Sequence, residues 1–286
     1  MKKLILCTMT ALIYAGPFSK ADADESRLRL HMNEASNQIA AVYNAIDFAD
    51  GSKPAFDVFE KAYTGYINLL NAGKLNAEKQ VITICDMSLS SNTNRMWIVD
   101  LAAKKVLLND YVAHGQGSGD EYATAFSNTN NSHQSSIGMY VTGDTYIGEH
   151  GRSLYLHGMD NGFNHNAYKR SIVVHGANYV SKDFIAQHKR LGRSWGCPAV
   201  SDKLSNKVID MIKDGTVLFI YYPQAKYMRT AYWINKKIDR MPSNLDESFQ
   251  PLMAMNAKGP VKVVYEYGPL TKSISEAVSH IQFPLY

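Results

Sequence analysis

The sequence predicts an α+β fold in which a mainly antiparallel β body with a few helices follows an N-terminal helical pair. Three observations lead there. Residues 26–49 place Leu28, Met32, Ala35, Ile39, Val42, Tyr43 and Ile46 at three- and four-residue steps, so one face of a helix is apolar. From Gln80 the pattern changes to short β-branched and aromatic runs at 81–85, 95–101, 106–113, 137–142, 153–157, 171–175 and 216–222, separated by Gly, Asn and Ser clusters. Without residues 1–23, about 260 residues remain, the size of one large domain or of one domain with a small accessory piece.

The second helix of the pair follows the break Asp50-Gly51-Ser52. Ser52 is its candidate cap, Pro54 falls near the first turn, and Phe56, Phe59, Tyr63, Tyr66, Ile67 and Leu70 repeat at helical spacing up to Gly73. Within the β body the spacing predicts a helix over 182–188 and another over 202–213, the latter capped by Ser201 or Asp202. Residues 115–136, rich in Gly, Ser, Asn and Thr, read as a long loop, which in a compact domain is more often functional than idle. Residues after Pro223 show no clear period. The expected organisation is a leader at 1–23, a helical segment at 24–76 packed on the core, a β-rich domain at 77–223 and a C-terminal extension at 224–286. There is no internal repeat and no low-complexity tract.

The leader is read from Lys2-Lys3, an almost unbroken apolar run from Leu4 to Gly16, then Pro17 and the small-residue pattern Ala21-Asp22-Ala23. That is the layout of a secretory signal with cleavage after Ala23. The run is too short to span a bilayer, and no later segment is long and apolar enough, so no stable membrane insertion is expected. The formal net charge of +4 falls to +2 without Lys2, Lys3, Lys20 and Asp22, which argues against nucleic acid as a partner. A monomer is expected.

Cys7 lies in the leader, which leaves Cys85 and Cys197. Cys85 belongs to the apolar run Val81-Ile82-Thr83-Ile84-Cys85, where a buried, inert thiol is the common outcome, although an oxidising compartment would permit a Cys85–Cys197 bridge. Cys197 differs. It stands between Gly196 and Pro198, a context that fits a turn better than regular structure, since Pro198 cannot donate to a ladder and Gly196 tolerates angles that other residues avoid. Backbone N–H groups at Gly196 and Cys197, a helix N-terminus close by and an imidazolium partner would all favour a thiolate and an oxyanion there. The plainer reading is a small buried hydrophobe in a tight corner.

His175 ends Ser171-Ile172-Val173-Val174 and precedes Gly176, so it emerges at a strand end. His157-Gly158 repeats the arrangement after Leu154-Tyr155-Leu156, and on spacing alone either histidine could serve as a base. His157, His175 and Cys197 could also form a three-ligand zinc site, but there is no His-Glu-x-x-His and no closely spaced pair of metal type, so no metal and no cofactor is expected. His31, His133, His165, His188 and His280 read as surface residues.

Gly192-Arg193-Ser194-Trp195-Gly196-Cys197-Pro198-Ala199, with His175-Gly176 upstream, resembles the L,D-transpeptidases with a YkuD-type catalytic domain, and most closely their divergent murein L,D-transpeptidase catalytic domain branch. The segments 95–101, 112–119, 126–128, 135–138 and 155–158 share the likeness, which covers roughly residues 55–223. Trp195 and Ala199 depart from the main family, which has a histidine and an Asn or Arg at those places.

The resemblance implies a peptidoglycan stem peptide as substrate, met in the periplasm or cell envelope. Cys197 would be the nucleophile, His175 its base, and Gly176, through its carbonyl, the group that orients the imidazole. Gly196 and Cys197 would supply the oxyanion hole. Arg193, Ser194 and Tyr179 are candidates for gripping stem carboxylates, with a mere surface pairing as the alternative for Arg193. Trp195 and His157 complete the expected substrate contacts. An L,D-carboxypeptidase, in which water resolves the thioester, and a catalytically idle wall-binding protein are the rival readings.

Overall fold

The computed structural model describes residues 34–49 and 51–242 of the 286. The expected leader, its cleavage point after Ala23 and the chain beyond 242 lie outside the described residues. All described residues belong to one compact unit.

The helical pair follows its apolar stripes. The described part of α1 covers 34–45 and turns Ile39 and Val42 inward, with Ile46 buried just past its end. Helix α2 (Phe56–Asn71) buries Val58, Phe59, Ala62, Tyr63, Tyr66, Ile67 and Leu69, the face that the sequence spacing marks. It does not start from Ser52. Ala55 holds the cap position without a side-chain bond, while Ser52 offers its carbonyl to Trp97 Nε1 at 2.6 Å. Pro54 fixes the chain just before the helix, and the side chain of Ser52 lies too far upstream to reach its first N–H groups. At the other end Gly73 takes φ +65°, and N–H bonds from Gly73 to Leu70 O and from Lys74 to Leu69 O close the last turn.

The β body is one eight-stranded sheet in the order β3-β2-β1-β8-β4-β5-β6-β7. Its strands are β1 (Val81–Asp86), β2 (Met96–Asp100), β3 (Lys105–Asp110), β4 (Gly138–Gly148), β5 (Gly151–Gly158), β6 (Val173–Ala177), β7 (Ala199–Ser201) and β8 (Val217–Tyr221). Pairing is antiparallel except between β1 and β8 and between β6 and β7. The parallel centre explains the continuous apolar runs of β1 and β8, both buried along their whole length, because helices cover the sheet there. Helix α2 packs on β1, with Gly65 against Met139 of β4, where any Cβ would lie 2.5 Å from the Met139 methyl.

Three elements depart from the expected pattern. Strand β4 runs six residues beyond 142, through a register shift between Thr142 and Thr145, so Gly143-Asp144 is a bulge and not a turn. Strand β7 is only three residues long and was not foreseen. The segment after Pro223 begins with two short helices, α5 (Ala225–Thr230) and α6 (Tyr232–Asn235), following α3 (Lys182–His188) and α4 (Asp202–Ile212) in chain order. Asn68 Nδ2 on α2 donates to Trp233 O and Lys236 O, and Tyr227 OH donates to Asp160 Oδ2 at 2.8 Å, which ties this segment to the body. Among the described residues no helix is long and apolar enough to cross a membrane.

Candidate active site

The parallel pairing of β6 and β7 sets His175 opposite Ala199 and Gly176 opposite Val200. Cys197, two residues before Ala199, therefore lies on the turn that leads into β7 and faces the beginning of β6. Its Sγ lies 3.5 Å from Val173 N and 3.6 Å from Ser171 O. The two described cysteines are free, and Cys197 is half-buried whereas Cys85 is fully enclosed. Burial pushes the Cys85 thiol up to about 12, which leaves it a small core hydrophobe.

The turn is held from within. Ser194 Oγ donates to Cys197 O at 2.6 Å and accepts from Gly196 N at 3.0 Å. Gly196 takes φ +124°, and a Cβ there would lie 2.8 Å from Gln134 O, so the position requires glycine. The long loop is stitched alongside: Ser194 N donates to His114 O, Gln116 N to Ser194 O, and Ser135 Oγ to Gly196 O. The loop expected at 115–136, apart from one short turn of helix at Gln116–Ser118, thus forms the wall that fixes the Cys197 turn.

His175 is buried, and its Nδ1 lies 2.8 Å from Gly176 O. A carbonyl only accepts, so Nδ1 carries the proton and Nε2 keeps a free lone pair. Burial first, and then the neighbouring His150 charge, holds the imidazole below its ordinary pKa, while the Gly176 carbonyl and Asp202 pull it up. His150, on the turn joining β4 to β5, stacks on His175 with centroids 4.4 Å apart. The thiol of Cys197 is pushed above its ordinary value by burial, against the opposing pull of the Val173 N–H and the Arg170 guanidinium. The sequence reading expected a stabilised thiolate. In the structure desolvation outweighs the charges that would favour ionisation, so the thiol lies above and the imidazole below its ordinary pKa.

Several expected contacts are engaged elsewhere. Arg193 Nη1 donates to Gly119 O at 2.9 Å and to Asp120 Oδ1 at 2.7 Å, the surface pairing and not a free carboxylate clamp. Ser194 is committed to the turn, and the Gly196 N–H already serves Ser194 Oγ, so of the two expected oxyanion donors only the Cys197 N–H lacks a partner among the described residues. His157 is exposed, stacks on Tyr168 at 5.1 Å and lies over Gly143 of β4. Tyr179 packs against Gly192, and its hydroxyl is raised by burial and then by the charges of Cys197 and Asp202. Trp195 is 72 % exposed and stacks on His133, which is therefore half-buried at the rim of the site and not a plain surface residue.

Other residues of the site were not read from the sequence. Arg170 Nη1 donates to Ser127 O and Ser136 Oγ, and Nη2 to Ser132 Oγ and Gln134 O, so one guanidinium joins the long loop to the back of Gly196. Its charge favours the Cys197 thiolate. Arg95 is fully buried and donates to Val112 O, Leu89 O and His114 Nδ1. Because arginine only donates, His114 accepts at Nδ1 and is neutral, and burial and Arg95 push its pKa down to about 4. His114 is thus a strut behind the turn and no base. Tyr146 of β4 stands near enough for the Cys197 charge to raise its hydroxyl further after burial has done so. No group of three metal-ligating side chains occurs among the described residues.

A family model described as L,D-transpeptidase catalytic domain matches residues 50–221. A search of curated proteins finds no match. Among solved structures, an L,D-transpeptidase from Mycobacterium smegmatis aligns at 11 % identity over 50 % of this chain and 59 % of that one, with a TM-score of 0.32. An L,D-transpeptidase from Stackebrandtia nassauensis aligns at 15 % identity over 66 % of this chain and 89 % of that one, with a TM-score of 0.30. L,D-transpeptidase 1 of Mycobacterium tuberculosis aligns at 13 % identity over 50 % and 62 %, with a TM-score of 0.28.

Proposed function

The chain belongs to the L,D-transpeptidase catalytic domain family, and on that premise we propose that it crosslinks peptidoglycan stem peptides through a Cys197 thioester, in the cell envelope after export under its N-terminal segment. One observation carries the reading: a free, half-buried thiol beside β6, the strand that presents a buried histidine with Nδ1 held by Gly176 O.

In this reading the thiol and the imidazole both start un-ionised. As Sγ bonds to the carbonyl carbon of the third stem residue, His175 Nε2 takes the thiol proton, so charge separates only during attack. The developing oxyanion meets the Cys197 N–H; the Gly196 N–H can join only by releasing Ser194 Oγ. When the bond to the terminal D-alanine breaks, the imidazolium returns its proton to the leaving amine, which leaves the thioester. An amine of a second stem then attacks, giving a proton to His175, and the thiol is restored as the crosslink forms. Arg170 favours negative charge on sulfur throughout, and Tyr146, Tyr179 and Trp195 flank the path of the stem.

The test is to incubate the protein with a defined tetrapeptide stem, with and without a second stem bearing a free amine, and to resolve the products by mass. Crosslinked dimer and free D-alanine are expected, unchanged by a chelator and ended by a thiol alkylator. Tripeptide without dimer would make the protein a carboxypeptidase. Loss on chelation with recovery on zinc would overturn the covalent route.

A further inference from the structure

We propose that His150 is a second functional histidine of this site, a positioning residue that packs on the face of His175 and keeps it in its free-base form. The proposal rests on the reading of His175 as the base. Strands β4 and β5 form a tight hairpin whose last pair is Gly148 opposite Gly151, so Glu149 and His150 alone make the turn. Gly151 takes φ +72° there, and the turn sets His150 against His175 of β6. The outcome is a near-parallel stack of two imidazoles, 4.4 Å between centroids and 20° between planes. His150 is itself exposed, and its ring contact is with the buried His175.

The charge argument gives the stack its consequence. The two rings are stacked, so a positive charge on the exposed His150 bears directly on the buried His175. A second positive charge at stacking distance is then disfavoured, and His175 remains able to accept the thiol proton at a lower pH than it would alone. The other groups around His175 act differently. Asp202, at the start of α4, favours protonation. Cys197 and Tyr179 are both raised and stay neutral at rest, and Glu149 precedes His150 in the turn.

The test is an NMR titration of the full chain carrying 13C-labelled imidazoles, with the His175 signal assigned by its loss in His175→Gln. His150→Phe keeps a ring on His175 without the charge, and His150→Ala removes both. In each variant the His175 midpoint should rise by at least about 0.7 pH unit, the effect of unit charges 4.4 Å apart in water and a lower bound for a buried ring. The acid limb of D-alanine release should move by the same amount, with His150→Phe retaining more of the plateau rate than His150→Ala. A His175 midpoint that is the same in wild type and His150→Phe would overturn the proposal. A wild-type chain that releases no D-alanine would instead defeat the catalytic reading, leaving the titration to decide on His150.

Discussion

Cys197→Ser is expected to abolish D-alanine release from a tetrapeptide stem, while Cys85→Ser retains most of the rate. The serine hydroxyl fits the turn, which is built by Ser194, Ser135 and Gly196 and not by the sulfur. Its proton, however, is far harder to remove, and His175 is a weaker base than free imidazole because burial lowers its pKa. At Cys85 the penalty is structural. A hydroxyl enclosed in β1 without a partner costs about 1–3 kcal/mol of stability, so the urea midpoint of this variant should fall while its rate stays near wild type. Rates and denaturant midpoints of both variants decide the matter. Equal loss of activity in two folded variants would point to a bridge or a metal role in place of a nucleophile.

His175→Ala should lower the rate by about a hundredfold to ten-thousandfold at neutral pH. The pH dependence separates a base from a merely structural residue. Since the His175 pKa lies below its ordinary value, the wild-type rate should hold through neutrality and fall only as pH drops through that lowered pKa. The thiol of Cys197 is raised, so in His175→Ala only the scarce free thiolate can react. Its residual rate should therefore climb about tenfold per pH unit through neutrality and into the alkaline range. A variant with a flat profile, or with full activity, would contradict the assignment. Full activity of His175→Ala together with inactivity of His157→Ala would transfer the base to β5.

The parts of this protein that were legible in the sequence are those fixed locally. Helix α3 matches its expected bounds because Ser181 Oγ accepts from Phe184 N at its start and Lys189 takes the left-handed conformation at its end. Helix α2 and the strand cores of β1 and β8 follow their apolar periods. Strand β7 was hidden because three residues carry no period, and its pairing with β6 comes only from the crossover through α3. The length of β4 was hidden because a bulge at Gly143-Asp144 has the composition of a turn.

The same division runs through the site. Cys197 and His175 stand out because glycine and proline mark their backbone. Arg170 and His150 do not, since a guanidinium reaching four loop groups and a ring folded over its neighbour are decided by tertiary contacts. A clue to Arg170 lay in its place just before the apolar run Ile172-Val173-Val174, where a cation needs a reason. Arg193 illustrates the reverse error. A basic residue beside a nucleophile reads as a carboxylate clamp until Asp120 is found to hold it.

The central claim is the covalent intermediate, and the intact mass of the protein bears on it most directly. Protein quenched in acid during turnover of a tetrapeptide stem should show a population heavier by the tripeptide acyl group, confined on digestion to the peptide containing Cys197 and absent from Cys197→Ser. Unmodified protein throughout steady release of D-alanine, or an adduct carried by another residue, would contradict the account.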